Sequence, residues 1–327
     1  MRFIQPLIQL SLLTLAVTAC TETDSSVHRT LTDPVTAAEL DSAESSDWSA
    51  PVNLGPIVNS SFNEVGGALS RDALTLYFGS NRPTDPDDPV LDNNIWVAQR
   101  PTTSSPWGAP VPVAAINTAD FIENIPALSR DGHWLFFNSD RPGGFGDVDI
   151  WVSFRSHTHD DFGWEPPRNL GAGVNSAFFD AGAGFFENDD AGVPLLFFGS
   201  NRPGGQGGSD IYVSEQMADG SFGATRLIEE LSSPQDDQRP AVSLDGLELF
   251  LFSSRVGTFG IADIWVSTRN TVADPWSPPV NLGSTVNSAA ADFQPYIASD
   301  RTTLLFSSVR PGGFGGLDLY ETTRSGD

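Results

Sequence analysis

The chain has 327 residues, with 42 acidic side chains against 17 Lys and Arg for a formal charge of −25, and all of the latter are Arg. That balance excludes a nucleic-acid partner and electrostatic adhesion to an anionic membrane surface, because both need a positive patch. The length admits one large domain or two ordinary ones.

Residues 1–20 read as a targeting segment. Arg2 precedes an apolar run, Ile4 to Val17, that Gln5, Pro6, Gln9, Ser11 and Thr14 interrupt. The run is too short and too broken to span a bilayer, so a cleaved signal peptide is expected. It ends in Val17-Thr18-Ala19-Cys20, small residues before the only Cys of the chain. This resembles the bacterial lipobox and implies a lipidated Cys20, with the membrane reached through that anchor alone. A single thiol kept for an anchor also fits an exported chain without disulfides. Thr21 in place of Asp, by resemblance to enterobacterial sorting, implies the outer membrane or cell surface. Residues 21–47 are polar, acidic and free of aromatics, which predicts a flexible tether.

From residue 48 the chain repeats itself five times, over about 48–106, 107–163, 164–221, 222–275 and 276–327. Each unit opens on an aromatic residue: Trp48, Trp107, Trp164, Phe222 and Trp276. A short apolar stretch follows, as in PVNLG at 51–55 and 279–283, then a loop such as Asn59-Ser60 or Asn287-Ser288. An acidic residue opens the next strand, which turns near Ser-x-Asp-Gly into a strongly apolar one such as WLFFNSD. An Arg and a Gly-rich loop, RPGGFGD at 141–147, lead to a closing strand such as DIWVSFR. Four short strands per unit, separated by turn residues and without an amphipathic helix, predict an all-β chain. Five such units predict a five-bladed β-propeller of four-stranded antiparallel blades. The first unit begins on a fourth-strand sequence and the last stops after its third strand. The N-terminal strand is therefore expected to complete the last blade and close the ring, which removes an exposed edge.

Two stretches carry a family likeness: PALSRDGHWLFFNSDRPGGFGDVDIWVS at 126–153 and PYIASDRTTLLFSSVRPGGFGGLDLYET at 295–322. They resemble the TolB-type, WD40-like repeat of bacterial envelope proteins, and the likeness runs over roughly residues 48–324. It implies the propeller fold and a place among envelope proteins that bind other proteins. It implies no catalytic set, because the shared residues are those of the repeat.

Chemistry is sought by asking whether a residue recurs in every blade or stands in one. The acids Glu64, Glu123, Asp180, Asp237 and Asp292 precede the innermost strands and are expected near the mouth of the central channel. Two carboxylates there can act as acid and base on a glycosidic bond. Every blade also carries an Arg after its second strand, Arg82, Arg141, Arg202, Arg255 or Arg310. Matched numbers predict structural ion pairs, which hold a carboxylate ionised. The leading expectation is a non-catalytic binding or scaffold propeller of the cell envelope. Its protein or glycan ligand would sit on a loop-rich face built from Asn59, Asn117, Asn175 and Asn287, with Phe145 and Phe314 beside them. The alternative is a glycan-active hydrolase using the channel-mouth acids. The Gly-rich loops lack the Lys and the following helix of a phosphate site. Asp85, Asp87, Asp88 and Asp92 in the first blade offer a site for Ca²⁺, since oxygen-rich loops suit that ion, and His157 and His159, alternating on one face, offer a looser metal pattern. Two further departures from the repeat, Glu187-Asn188-Asp189-Asp190 and His157-Thr158-His159, read as surface loops.

Overall fold

The computed structural model describes residues 47–84, 92–188 and 192–326. The signal segment with Cys20, nearly all of the tether, and Asp85, Asp87 and Asp88 lie outside the described residues. The described residues contain no helix and form five four-stranded antiparallel sheets.

A two-residue strand, β1 (Val52–Asn53), stands ahead of the first complete blade. That blade runs β2 (Glu64–Leu69), β3 (Thr75–Ser80), β4 (Asn94–Gln99) and β5 (Val111–Pro112). The second holds β6 (Glu123–Leu128), β7 (Trp134–Ser139), β8 (Asp149–Phe154) and β9 (Arg168–Asn169). The third holds β10 (Asp180–Phe186), β11 (Leu195–Ser200), β12 (Asp210–Glu215) and β13 (Arg226–Leu227). The fourth holds β14 (Asp237–Val242), β15 (Glu248–Ser253), β16 (Asp263–Thr268) and β17 (Val280–Asn281). The fifth has β18 (Asp292–Ile297), β19 (Thr303–Ser308) and β20 (Asp318–Thr323), and takes β1 as its fourth strand.

The second strands are apolar on both faces because each blade is sandwiched between two others. In β7, Phe136 packs with Phe198 and Tyr212 of the third blade, while Phe137 packs with Tyr77 and Ile95 of the first. The same period-two alternation builds five buried clusters, one at each junction between neighbouring blades. Burial at these junctions, at about 25 cal/mol per Å² of apolar surface, is the main force holding the ring. In four blades the aromatic residue that opens the repeat lies beneath an Arg: Arg324 over Trp48 at 4.8 Å, Arg100 over Trp107 at 4.2 Å, Arg155 over Trp164 at 4.5 Å and Arg269 over Trp276 at 4.1 Å.

Ring closure follows the expected route. Val52 pairs with Glu321 and Asn53 with Tyr320, and Trp48 bridges to Arg324. Asn53 Nδ2 donates to Asp318 Oδ2 at 2.8 Å, as Asn169 does to Asp149 within the second blade. The closing blade thus reproduces an ordinary one from two distant pieces of chain.

Each inner strand carries a bulge, where its pairing with the second strand slips. Its third residue, Gly66, Ile125, Gly182, Arg239 or Gln294, has φ between 52° and 72°. A β-carbon on Gly66 would lie 2.8 Å from Ile125 Cα, and one on Gly182 would lie 3.0 Å from Arg239 Cα. The bulges therefore pack one against the next around the central axis. The left-handed backbone favours Gly at this position, and at Gly66 the space does so as well.

Candidate functional site

The five acids that open the inner strands are all buried without solvent exposure. Arg82 Nη2 donates to Glu64 Oε1 at 2.8 Å, and Arg141 pairs with Glu123 at 2.8 Å. Arg202 pairs with Asp180, Arg255 with Asp237, and Arg310 with Asp292. The same Nη2 also donates to a backbone carbonyl of the preceding loop: Val58, Ile116, Val174, Leu231 or Val286. In four blades the loop Ser or Thr adds its own hydroxyl and N–H, as Thr118 does to Glu123 at 2.9 and 2.7 Å. Each acid therefore staples an inner strand to the loop before it, and none presents an oxygen at the surface. One detail departs from the sequence expectation. Burial pushes the Glu123 carboxyl above the usual range, against the hydrogen bond from Thr118 and the nearby Arg141, so pairing with Arg does not by itself dictate a lowered pKa.

The loop Asn residues also turn inward. Asn175 accepts from Ile150 N at 2.9 Å and donates to Ile150 O at 2.9 Å, extending the edge of β8 as a strand would. Asn117 does this to Ile95, Asn287 to Ile264, and Asn59 to Leu319 across the closing seam. Their amides are committed to backbone and do not face a ligand. The Gly-rich loops wrap a carboxylate of their own blade: Asp318 accepts from Phe314 N at 2.6 Å and Gly315 N at 3.0 Å. A β-carbon on Gly313 would lie 2.4 Å from that carboxylate, which explains the glycine. Only the rings escape, with Phe145 50 % and Phe314 49 % exposed. In the first blade Asn94 takes the place of the Asp and donates to Asp92 at 3.0 Å. Among the described residues no three His, Cys, Asp or Glu side chains gather as a metal site.

In the second blade His157 and His159 are exposed, and it is Asp161, just beyond them, that has a structural role. Asp161 is buried and accepts from Arg155 Nη1 at 2.6 Å, Tyr77 Oη at 2.7 Å, Gln99 Nε2 at 2.6 Å and Thr75 Oγ1 at 2.9 Å. This network joins the first two blades. Burial opposes ionisation of Asp161, but these hydrogen bonds outweigh it and hold the carboxyl below the usual range.

An open cavity lies elsewhere, at the far ends of the inner strands, roughly 17 Å along six-residue strands from the stapled acids. Its volume is about 360 Å³, and it is lined by the last residues of β6, β10, β14 and β18 and by the turns that follow them. Arg239 and Tyr296 lie in its wall, with Arg130, Glu187, Asp245 and Arg301 from the turns. The two carboxylates differ. Burial pushes Glu187 above the usual range, even though it accepts hydrogen bonds from the N–H groups of Asp131 and Arg130. For Asp245, burial is outweighed by hydrogen bonds from Ser243, Leu247 N and Arg301, which hold it below the usual range. A carboxyl raised by burial and a carboxylate lowered by hydrogen bonds thus line one concave site. Gly246, next to Asp245, packs so closely on Phe186, next to Glu187, that a β-carbon there would lie 2.3 Å from Phe186 Cζ.

The sequence reading passed over both groups. Glu187 reads as part of a solvated turn, and Arg239 is not singled out at all. The signal was present in each: Glu187 precedes an irregular turn found only in the third blade, and Arg239 is the only charged residue among the five bulge positions.

No protein-family model matches the sequence, and no curated protein matches it. Solved structures share its fold. The α-L-arabinofuranosidase from Lactobacillus brevis is 15 % identical with a TM-score of 0.58, over 83 % of this chain and 92 % of that one. A GH43_1 enzyme from Xanthomonas citri is 16 % identical with a TM-score of 0.57, over 88 % and 93 %. The catalytic domain of a GH62 α-L-arabinofuranosidase from Coprinopsis cinerea is 10 % identical with a TM-score of 0.55, over 85 % and 96 %. At these identities the likeness is one of fold, the five-bladed propeller. The expectation of a non-catalytic scaffold is corrected here. It rested on near-equivalent blades, whereas Glu187 and Arg239 in the cavity wall each stand in a single blade, and the solved structures named above are two α-L-arabinofuranosidases and a GH43_1 enzyme.

Proposed function

We propose that this protein is a glycan-active hydrolase whose site is the axial cavity. The observation that carries the reading is the open cavity of about 360 Å³ that gathers two carboxyl groups, Glu187 and Asp245, on one wall, the first pushed up by burial and the second held down by its hydrogen bonds. The fold shared with arabinofuranosidases and a GH43_1 enzyme supports the substrate class. In this mechanism Glu187 gives its proton to the glycosidic oxygen as the bond from the anomeric carbon to that oxygen breaks. Asp245, already ionised, acts on the opposite side. It takes a proton from the attacking water, or attacks the anomeric carbon itself before water replaces it. Arg301, which pairs with Asp245, keeps that carboxylate ionised. Anchoring of a TolB-type envelope lipoprotein through Cys20 belongs to the same proposal and would hold the enzyme at the outer membrane or cell surface.

The test is turnover of arabinofuranosides, xylosides and their oligosaccharides by the full-length chain. Glu187→Gln keeps the shape of the side chain and removes the acid, so turnover is expected to fall by about 10²-fold or more. Unchanged turnover in that variant, or no cleavage of any glycoside by the parent, overturns the proposal.

A further inference from the structure

We propose that the axial cavity takes a sugar bearing a carboxylate, a uronic acid residue, and that Arg239 receives the carboxylate. This rests on the glycan reading of the cavity given above, and it names the substrate class.

Arg239 is 2 % exposed and lines the cavity. Its Nη1 donates to Ile125 O at 3.2 Å and its Nη2 to Pro126 O at 2.9 Å, while Nε has no partner. Arg has five N–H donors in a planar fork, so the two bonds to carbonyls leave Nε, itself buried from solvent, with a donor that no group of the chain accepts. Among the described residues no carboxylate pairs with Arg239, although the chain carries 42 acids. Every blade-staple Arg, and Arg155 as well, has its own acid. A buried cation without a counter-ion is costly. The backbone adds to that cost, because Arg239 has φ 54°, a left-handed conformation it shares with Ile125 and Gln294 and that two other blades meet with Gly. Burial also pushes its pKa down to about 9, which leaves it charged near neutral pH. A private, strained and uncompensated cation in the wall of the axial cavity is what an anionic group of the ligand would complete.

The geometry also orders the sugar within the site. Glu187 and Asp245 come from the turns at the ends of the inner strands, and Arg239 from the bulge deeper along β14. A uronate carboxylate directed along the axis to Arg239 leaves its glycosidic bond near the two acids. Glu187, biased toward its protonated form, does not repel that carboxylate. With a net charge of −25 the protein does not draw an anion from afar; the attraction is local and short-ranged.

The experiment is calorimetric titration of the full-length chain with digalacturonate, with its methyl ester, with xylobiose and with sodium sulfate. The free acid is expected to bind at least about tenfold more tightly than the ester or the neutral sugar. Arg239→Gln is expected to bring acid and ester within about twofold of each other. The ester comparison needs no variant, so it stands even if Arg239→Gln does not fold. Equal binding of acid and ester by the parent overturns the proposal, and so does sulfate binding as tightly as the sugar, since the site would then take any small anion. Cleavage of neutral glycosides with no preference for the acid sinks this inference and leaves the hydrolase standing. Preference for the acid without cleavage of any glycoside does the reverse.

Discussion

Phe186 and Gly246 are in such close contact that the third and fourth blades share a wall there, one residue away from each of the two cavity carboxylates. Gly246 has φ +72°, so a side chain at that position meets both conformational strain and the Phe186 ring. Gly246→Ala is expected to cost about 1–3 kcal/mol of stability. By moving Asp245 relative to Glu187, it should also lower kcat more than it raises KM. Thermal unfolding and steady-state kinetics on one preparation test both effects. A variant with parental stability would show that the contact is not as tight as described.

The opposed shifts of the two acids predict a bell-shaped pH profile. A general acid must be protonated, so turnover should fall as pH rises through the Glu187 pKa, which burial places above the usual carboxyl range. Asp245 must be ionised, so turnover should fall as pH drops through a value below the usual range. Glu187→Gln should abolish the alkaline limb in whatever activity remains.

Asp161 offers a test that belongs to the scaffold. Replacing it by Asn leaves Arg155 buried without its counter-ion, and the expected loss is about 3–5 kcal/mol. Because the folded pKa of Asp161 is depressed, its contribution is present above the unfolded value and is lost as pH falls through the folded one. The stability gap between parent and Asp161→Asn, read from denaturant unfolding, should therefore narrow in acid.

Glu123→Gln separates staple from catalyst. Removing the partner of Arg141 in a pair whose acid is fully buried and whose Arg is 11 % exposed is expected to destabilise the chain by about 3 kcal/mol. Turnover per folded molecule should persist, because Glu123 has no exposed surface from which to reach a substrate. Loss of turnover at full stability would restore the channel-mouth acids as the reacting groups.

The anchor is tested by fractionation. Cys20→Ser removes the only thiol available for lipid attachment. The parent is expected with membranes and the variant in the soluble fraction, compared by immunoblot after cell lysis.

The ring, the blade count and the closing strand were legible because each rests on a repeated pattern that tertiary context only reinforces. Five apolar second strands need two covered faces, and a ring of blades supplies them. The matched counts of acids and Arg also pointed to staples. The loop Asn residues were misread as facing a ligand because their partners are backbone groups of β4, β8, β16 and β20, and a sequence does not display backbone acceptors. Glu187 and Arg239 were missed for another reason. Each is the exception within its repeat, but which side of a strand or turn faces the axis is set by the bulge, and Ile125, Arg239 and Gln294 do not advertise a left-handed backbone.

The seam where β1 meets β20 has a consequence for how the molecule assembles. Ser49 and Thr322, which hydrogen-bond there, are 273 positions apart. Bringing such distant segments together costs roughly 5 kcal/mol of chain entropy before any contact repays it. The first strand has no partner until the last blade is made, so closure of the ring is expected to come late in folding. Removal of a few residues at Trp48–Asn53 should therefore loosen the whole circle, as cutting a hoop at one point slackens every part of it.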